Sequence, residues 1–254
     1  MPLKAILILI DEVTVKNISV QLYSLRELLA TDYEGTIRKI PGLGYNGIET
    51  FGAATPPGCG KLFKELGLRV VSSHSPMPLG ERQNELIDAV LAAGSPIYIV
   101  PGVRPEEIAS VDSTKRFCDQ LNEAALACQA RGLAFGFHNH YREMYDVGGV
   151  RVYQVMNAQL APGVLFEVDT YWAKSGGVDP AEVIRELGAR VTHLHVKDGP
   201  GGHGAPQTTL GTGIMDIPAV LAAAPQAEAI VEFDSCAGDL LESLRLSAGY
   251  LKEK

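Results

Sequence analysis

The chain has 254 residues, 46% of them hydrophobic and 20% charged, a globular balance that excludes wholesale disorder. Lys and Arg number 22 against 30 Asp and Glu, a net charge of −8 with no basic cluster, which excludes a protein built to read a phosphate backbone. The four cysteines (Cys59, Cys118, Cys128, Cys236) contain no C-x-x-C pair and read as reduced thiols filling core space.

In chain order, the first feature is the apolar run Ala5–Ile10 after Lys4. It is only six residues long, and Asp11 and Glu12 stand where a small-residue cleavage site would be needed. No other stretch approaches a membrane span. The expectation is a soluble, cytoplasmic chain with no membrane partner, residues 1–16 being an appendage to one domain over 17–254.

Strand-like runs then recur at Ile18–Tyr23, Gly47–Phe51, Arg69–His74, Pro96–Val100, Leu133–His138, Val164–Asp169, Val191–Val196 and Ala229–Phe233. Their starts are 22 to 38 residues apart, the length of one strand, one helix and two short loops. Between them, Glu81–Ala93 carries Leu86, Val90 and Ala93 on one helical face and ends at Gly94. Ser113–Arg131 repeats the pattern with Phe117, Leu121, Ala124, Ala125 and Cys128, closed by Gly132. Asp179-Pro180 and Asp216-Ile217-Pro218 are helix openings, with Asp as the cap and Pro in the first turn.

Eight strand–helix alternations in an α/β chain of this length suit a doubly wound sheet or a closed barrel. The first strand lacks the G-x-G-x-x-G turn of a dinucleotide fold. The expectation is therefore a single (β/α)8 barrel, with its site at the C-terminal ends of the strands.

Parallel strands buried on both faces should read as unbroken apolar runs. The last four do not: they finish in His138-Asn139-His140, Glu167-Val168-Asp169, His193-Leu194-His195-Val196-Lys197-Asp198 and Glu232-Phe233-Asp234. Residues two apart share a face of a strand, so imidazoles and carboxylates from four neighbouring ends can meet around one divalent cation. A mixed N/O set suits Mn, Co, Zn or Mg. His74 ends the third strand in the same way. Tyr171 and Trp172 read as pocket wall, and Phe137 and Phe233 as core.

The order HNH…E, EVDTYW, HLHVKD, LGTG and VEFD, with Gly44–Glu49 and Val20–Arg26 before it, resembles the sugar phosphate isomerase/epimerase family, the xylose isomerase-like TIM barrels. The likeness runs from about residue 17 to the C-terminus. It implies one divalent metal ion held by Asp169, His195, Glu232 and a strand-five group. That group is His138, which departs from the glutamate usual there, or else Glu143, which would otherwise be the acceptor fixing the His138 tautomer. The endonuclease branch has a further histidine where Trp172 stands, so no nucleic acid is expected.

The resemblance implies an isomerase or epimerase acting on a sugar, keto-sugar or cyclitol through an enediolate. Glu232 moves the proton with Glu143 or His140, and Lys197, Asp198, Trp172, Glu49 and His74 contact the substrate. A dehydratase or lyase on a keto-inositol or 3-keto-glycoside, and an inactive sugar-binding barrel, are the alternatives. A homo-oligomer is compatible with this reading. Gly199–Gly204 is long enough for a lid, and Leu210–Gly213 is a candidate phosphate turn.

Overall fold

A computed structural model of the protein describes residues 17–52 and 55–254. The expected appendage, 1–16, lies outside them. The strands are β1 (Ile18–Gln21), β2 (Gly47–Phe51), β3 (Arg69–His74), β4 (Ile97–Pro101), β5 (Ala134–His138), β6 (Val164–Asp169), β7 (Val191–Val196) and β8 (Glu228–Val231). They pair in parallel and in sequence order, and β8 returns to β1, closing a barrel. The helices between them are α1 (Arg26–Thr31), α2 (Tyr33–Lys39), α3 (Cys59–Glu65), α4 (Gln83–Ala92) and α5 (Val111–Gln129). In the second half they are α6 (Val152–Gln159), α7 (Thr170–Ser175), α8 (Pro180–Leu187), α9 (Ile217–Ala223) and α10 (Leu240–Lys252).

Local chemistry explains most boundaries. Asp179 accepts a hydrogen bond from the Ala181 amide and Asp216 from that of Ala219, so both expected caps form. The helix expected to start at Ser113 starts at Val111, because the hydroxyl of Ser110 accepts from the Ser113 amide and draws the cap three residues earlier. That helix ends at Gln129, and the chain turns away at Gly132, whose φ of 80° is left-handed and strains any side chain. The first strand is shorter than expected, since Leu22–Leu25 tightens into a 3-10 turn.

Alternation along the strands sorts the interior. Phe135, Phe137, Val164, Phe166, Val168, Leu194 and Val196 are buried in the apolar shell between sheet and helices. The residues between them meet inside the barrel, and there the interior is polar. Gln21 donates to Glu49 at 2.5 Å, and Ser72 donates to the other Glu49 oxygen at 2.6 Å. At the opposite end Arg69 pairs with Glu228 at 2.8 Å. Cys59, Cys118 and Cys128 are buried and Cys236 half-buried, all as free thiols.

Candidate functional site

The register fixes the centre of the site. It sets His138 beside Glu167 across β5 and β6, and Asp169 beside His195 across β6 and β7. His195 Nδ1 lies 2.7 Å from Glu232 Oε2, while its Nε2 lies 2.6 Å from Glu49 Oε2 and 3.3 Å from Glu167 Oε2. His138 Nδ1 is 3.0 Å from Glu167 Oε2, and its Nε2 is 3.9 Å from Asp169 Oδ2. His138, Asp169, His195 and Glu232 each offer a ligand atom within 4.8 Å of the others. A deeper set, His74, His138, Glu167 and His195, meets the same limit.

Asp169 is held by the chain around it. Its Oδ1 accepts the Trp172 amide and caps α7. Asn139 brackets its backbone, accepting from the Asp169 N–H at 3.0 Å and donating to its carbonyl at 3.3 Å. Oδ2 is thereby aimed inward, towards Lys197. The buried Lys197 ammonium lies 2.8 Å from Asp169, 2.6 Å from Glu232 and 2.8 Å from Asp234. Gln207 in turn pins Asp234, donating to its carboxylate and accepting from its amide.

Charge compensation dominates the titration behaviour. Burial opposes ionisation of Glu232, but Lys197 and His195 hold it well below the usual carboxylate range. Burial likewise opposes charge on Lys197, and its carboxylate neighbours still keep it protonated. Burial raises Asp169 to about 6, and burial with the nearby Glu49 charge raises Glu167 to about 7. Glu49 falls to about 2, since His74 and His195 outweigh its burial. His138 is pushed far down by burial and by its imidazole neighbours, so it is neutral, with a lone pair to give. His140 falls to about 4 through burial and Lys197.

The donor set fits a divalent ion. His138 Nδ1 and Asp169 Oδ2 are buried with only ionic neighbours, Glu167 at 3.0 Å and Lys197 at 2.8 Å, and no further hydrogen-bond partner. Two imidazoles and two carboxylates suit Mn, Co or Zn better than an all-oxygen ion. Glu49 supplies the outer support: accepting from His195 Nε2–H leaves Nδ1 facing Glu232.

Several expectations need correction. The carboxylate beside His138 Nδ1 is Glu167, at 3.0 Å, and Glu143 stands outside both four-residue groups. Glu49 is buried, and its Oε2 lies 2.6 Å from His195 Nε2. Lys197 is buried among carboxylates, and Trp172 packs 6.5 Å from His140 and 6.2 Å from His203, ring to ring. Tyr171 is not pocket wall: it is fully buried, and its hydroxyl accepts from the Gly201 amide.

Asp198 points away from Lys197 and is buried. Its carboxylate accepts from the amides of Gly199, Gly211, Gly213 and Met215. The candidate phosphate turn at Leu210–Gly213 therefore already holds an anion, the protein's own. Gly213 is required there, because a Cβ would lie 2.2 Å from Asp198 Oδ1. Asp198→Ala should free four amides and cost roughly 3–5 kcal/mol, charge-assisted bonds being worth about 1.5–3 kcal/mol each and not additive. Urea denaturation measures the loss, and hydrogen exchange should rise first at Gly211, Gly213 and Met215.

Glu143 follows β5 in a 3-10 turn and is 1% exposed. Burial raises its carboxyl to about 7. The native state thus binds more protons than the unfolded chain between the unfolded value, roughly 4.3, and about 7. Stability contributed by the neutral form is present at low pH and lost as pH rises through 7. Glu143→Gln should flatten this slope and add up to about 3 kcal/mol at pH 8 in chelator. Denaturation at pH 5 and pH 8 decides it; equal slopes in both proteins would refute the assignment.

A cavity of about 1050 Å³ opens onto the strand ends, with His74, His138, His140, Glu232 and Asp234 among its lining residues. Of the residues expected to contact substrate, His74 alone appears in that lining. Sequence reasoning had no signal for Gln207, and the middle residue of HNH was the only one for Asn139.

A family model described as xylose isomerase-like TIM barrel matches residues 37–229. No curated protein matches the chain. Among solved structures, a sugar phosphate isomerase/epimerase from Parabacteroides distasonis ATCC 8503 is 23% identical, with TM-score 0.79 and 94% of each chain covered. The probable 3-DHS dehydratase AsbF of Bacillus anthracis is 12% identical, with TM-score 0.74 over 92% of this chain and 98% of that one. An L-ribulose 3-epimerase is 16% identical, with TM-score 0.66 and 92% of each chain covered. At these identities the likeness is one of fold.

Proposed function

The chain belongs to the xylose isomerase-like TIM barrel family, and we propose that it is a divalent-metal-dependent isomerase or epimerase acting on a sugar, keto-sugar or cyclitol. The observation that carries this is the convergence of His138, Asp169, His195 and Glu232 within 4.8 Å, with His138 and Glu232 lining the cavity. These four residues would hold the ion, which supplies Lewis-acid polarisation of a substrate carbonyl when bound.

The chain's own groups do the proton work. Glu232 and His140 line the same cavity floor. Glu232 is kept ionised by Lys197 and His195, and His140 is neutral at physiological pH, so each can accept a proton from a carbon beside the carbonyl. Proton return to the adjacent carbon completes an isomerisation, and return to the opposite face an epimerisation. Glu143, as a carboxyl titrating near 7, is the remaining proton carrier and the alternative strand-five ligand. If Glu143→Gln loses metal while His138→Ala keeps it, the glutamate is the ligand.

A lyase reading is favoured by one observation: His140, neutral and in the same cavity lining as Glu232, could take the proton from the α-carbon and, as the imidazolium so formed, pass it to a leaving group β to the carbonyl. Incubation with Mn²⁺ and candidate keto-sugars in D₂O separates the two. Deuterium at the α-carbon with retained composition supports the isomerase, and loss of water or aglycone supports the lyase. A protein purified without chelator that carries no stoichiometric ion would overturn both and favour a sugar-binding barrel.

Among the described residues no helix is long and apolar enough to cross a membrane. We place the protein in the cytoplasm on its unpaired thiols.

A further inference from the structure

We infer that the substrate is a sugar carrying an apolar substituent, which occupies the outer part of the cavity. The inference rests on the proposed sugar chemistry at the strand ends and adds what the rest of the pocket recognises.

The cavity, about 1050 Å³, lies just above the ~300–1,000 Å³ range that drug-sized ligands fill, so one monosaccharide leaves much of it vacant. The strand-end groups His74, His138, His140, Glu232 and Asp234 form one part of its lining. The rest of the lining is mainly apolar, with Tyr23, Phe51, Met77, Leu79, Val103 and Phe117, and its polar side chains are those of Ser75, Arg104, Glu107 and Gln120. Tyr23 and Phe51 meet edge to face at 5.3 Å, presenting ring surface.

The charged residues among the outer lining are spent on each other. Arg104 Nη2 donates to Glu107 Oε1 at 2.8 Å, and the Arg104 amide donates to Glu107 Oε2 at 3.1 Å. Sugar hydroxyls pressed against the stretch formed by Phe51, Met77, Leu79 and Val103 would lose water without gaining partners there, which is costly. A phenyl or alkyl group there gains burial instead. Because both ends belong to one cavity, the polar end takes the ring and the apolar end takes its substituent.

The test uses glycosides without a keto group, so that binding is read apart from turnover. The metal-loaded protein is titrated calorimetrically with methyl and phenyl glycosides of glucose, galactose and mannose. The expected result is that, for at least one sugar, the phenyl glycoside binds roughly tenfold tighter or more than its methyl partner. Met77→Asp and Leu79→Asp should each erase that advantage while leaving the melting temperature and metal content near wild type. Equal affinities in every pair, or no binding by any phenyl glycoside, would overturn the inference. Its failure is distinct from that of the proposed function: a protein with stoichiometric metal and no phenyl preference refutes only the apolar subsite. One with phenyl preference and no metal refutes only the metal-dependent reaction.

Discussion

Asp169→Asn protein is expected to lose its divalent cation and its activity together while the barrel still folds. The substitution keeps the shape and the cap, because an amide oxygen can still accept the Trp172 N–H now bonded to Oδ1. It replaces Oδ2, the inward atom that meets the Lys197 ammonium at 2.8 Å, by an NH₂ group facing that ammonium. A donor cannot ligate a cation. Removing a supporting hydrogen bond from a metal ligand typically costs 10–100-fold in affinity, so removing the ligand itself should cost roughly 100-fold or more. Glu232→Gln should behave alike and additionally loosen His195, whose Nδ1 faces that carboxylate at 2.7 Å. Elemental analysis after dialysis and a thermal melt check both claims. Stoichiometric metal at wild-type affinity in either variant would show that the ion, if bound, sits elsewhere, for example in the deeper His74, His138, Glu167 and His195 set.

Lys197→Met should be the most destabilising single change at the site when metal is withheld. The variant leaves Asp169, Glu232 and Asp234 facing one another without the cation that now contacts all three at 2.6–2.8 Å. Breaking a buried ion pair by removing one partner costs about 3–5 kcal/mol, which for a chain of this size lowers the melting temperature by about 10 °C. The sign with pH follows from the carboxylates. Without Lys197 the buried Asp169 carboxyl, already raised to about 6, rises further and Glu232 loses the charge that chiefly holds it down, so the native state binds extra protons and stability falls as pH rises from about 4 towards neutrality. A divalent ion can take the ammonium's place among the carboxylates, so Mn²⁺ should raise the melting temperature of the variant more than that of the wild type. Melts at pH 5 and pH 8, with chelator and with Mn²⁺, measure all of this. Equal stability of the two proteins in chelator would mean that Lys197 does not compensate the cluster.

The two variants probe opposite signs of the same electrostatic problem. Asp169→Asn removes a negative charge from the cluster and Lys197→Met a positive one. A site built for a cation should tolerate the first as a fold and the second only when an ion is supplied. This separates a metal centre from a self-neutralised cluster of buried charges, which geometry alone does not do.

The barrel was legible in the sequence because its signals are local. Strand–helix spacing, Asp caps before Pro180 and Pro218, and period-two alternation depend on residues a few positions apart, and each expected strand appears within three residues of its bounds at either end. The convergence of His138, Asp169, His195 and Glu232 was legible for the same reason: each lies at, or one residue from, the C-terminal end of a strand, and such ends in a parallel barrel meet at one rim.

What the tertiary structure decided is which atoms face which across the barrel. Lys197 and Asp198 are neighbours in sequence, yet alternation sends the first into the carboxylate cluster and the second into the loop that carries Gly211 and Gly213. Glu167 displaced Glu143 as partner of His138 because it arrives from the adjacent strand in register, whereas Glu143 lies beyond the strand in a turn. Glu49 meets His195, since an interior carboxylate on β2 reaches the imidazole across the barrel. Gln207 and the apolar cavity wall carry no sequence pattern at all. Their roles arise from contacts between segments far apart in the chain, and such contacts exist only once the barrel has closed.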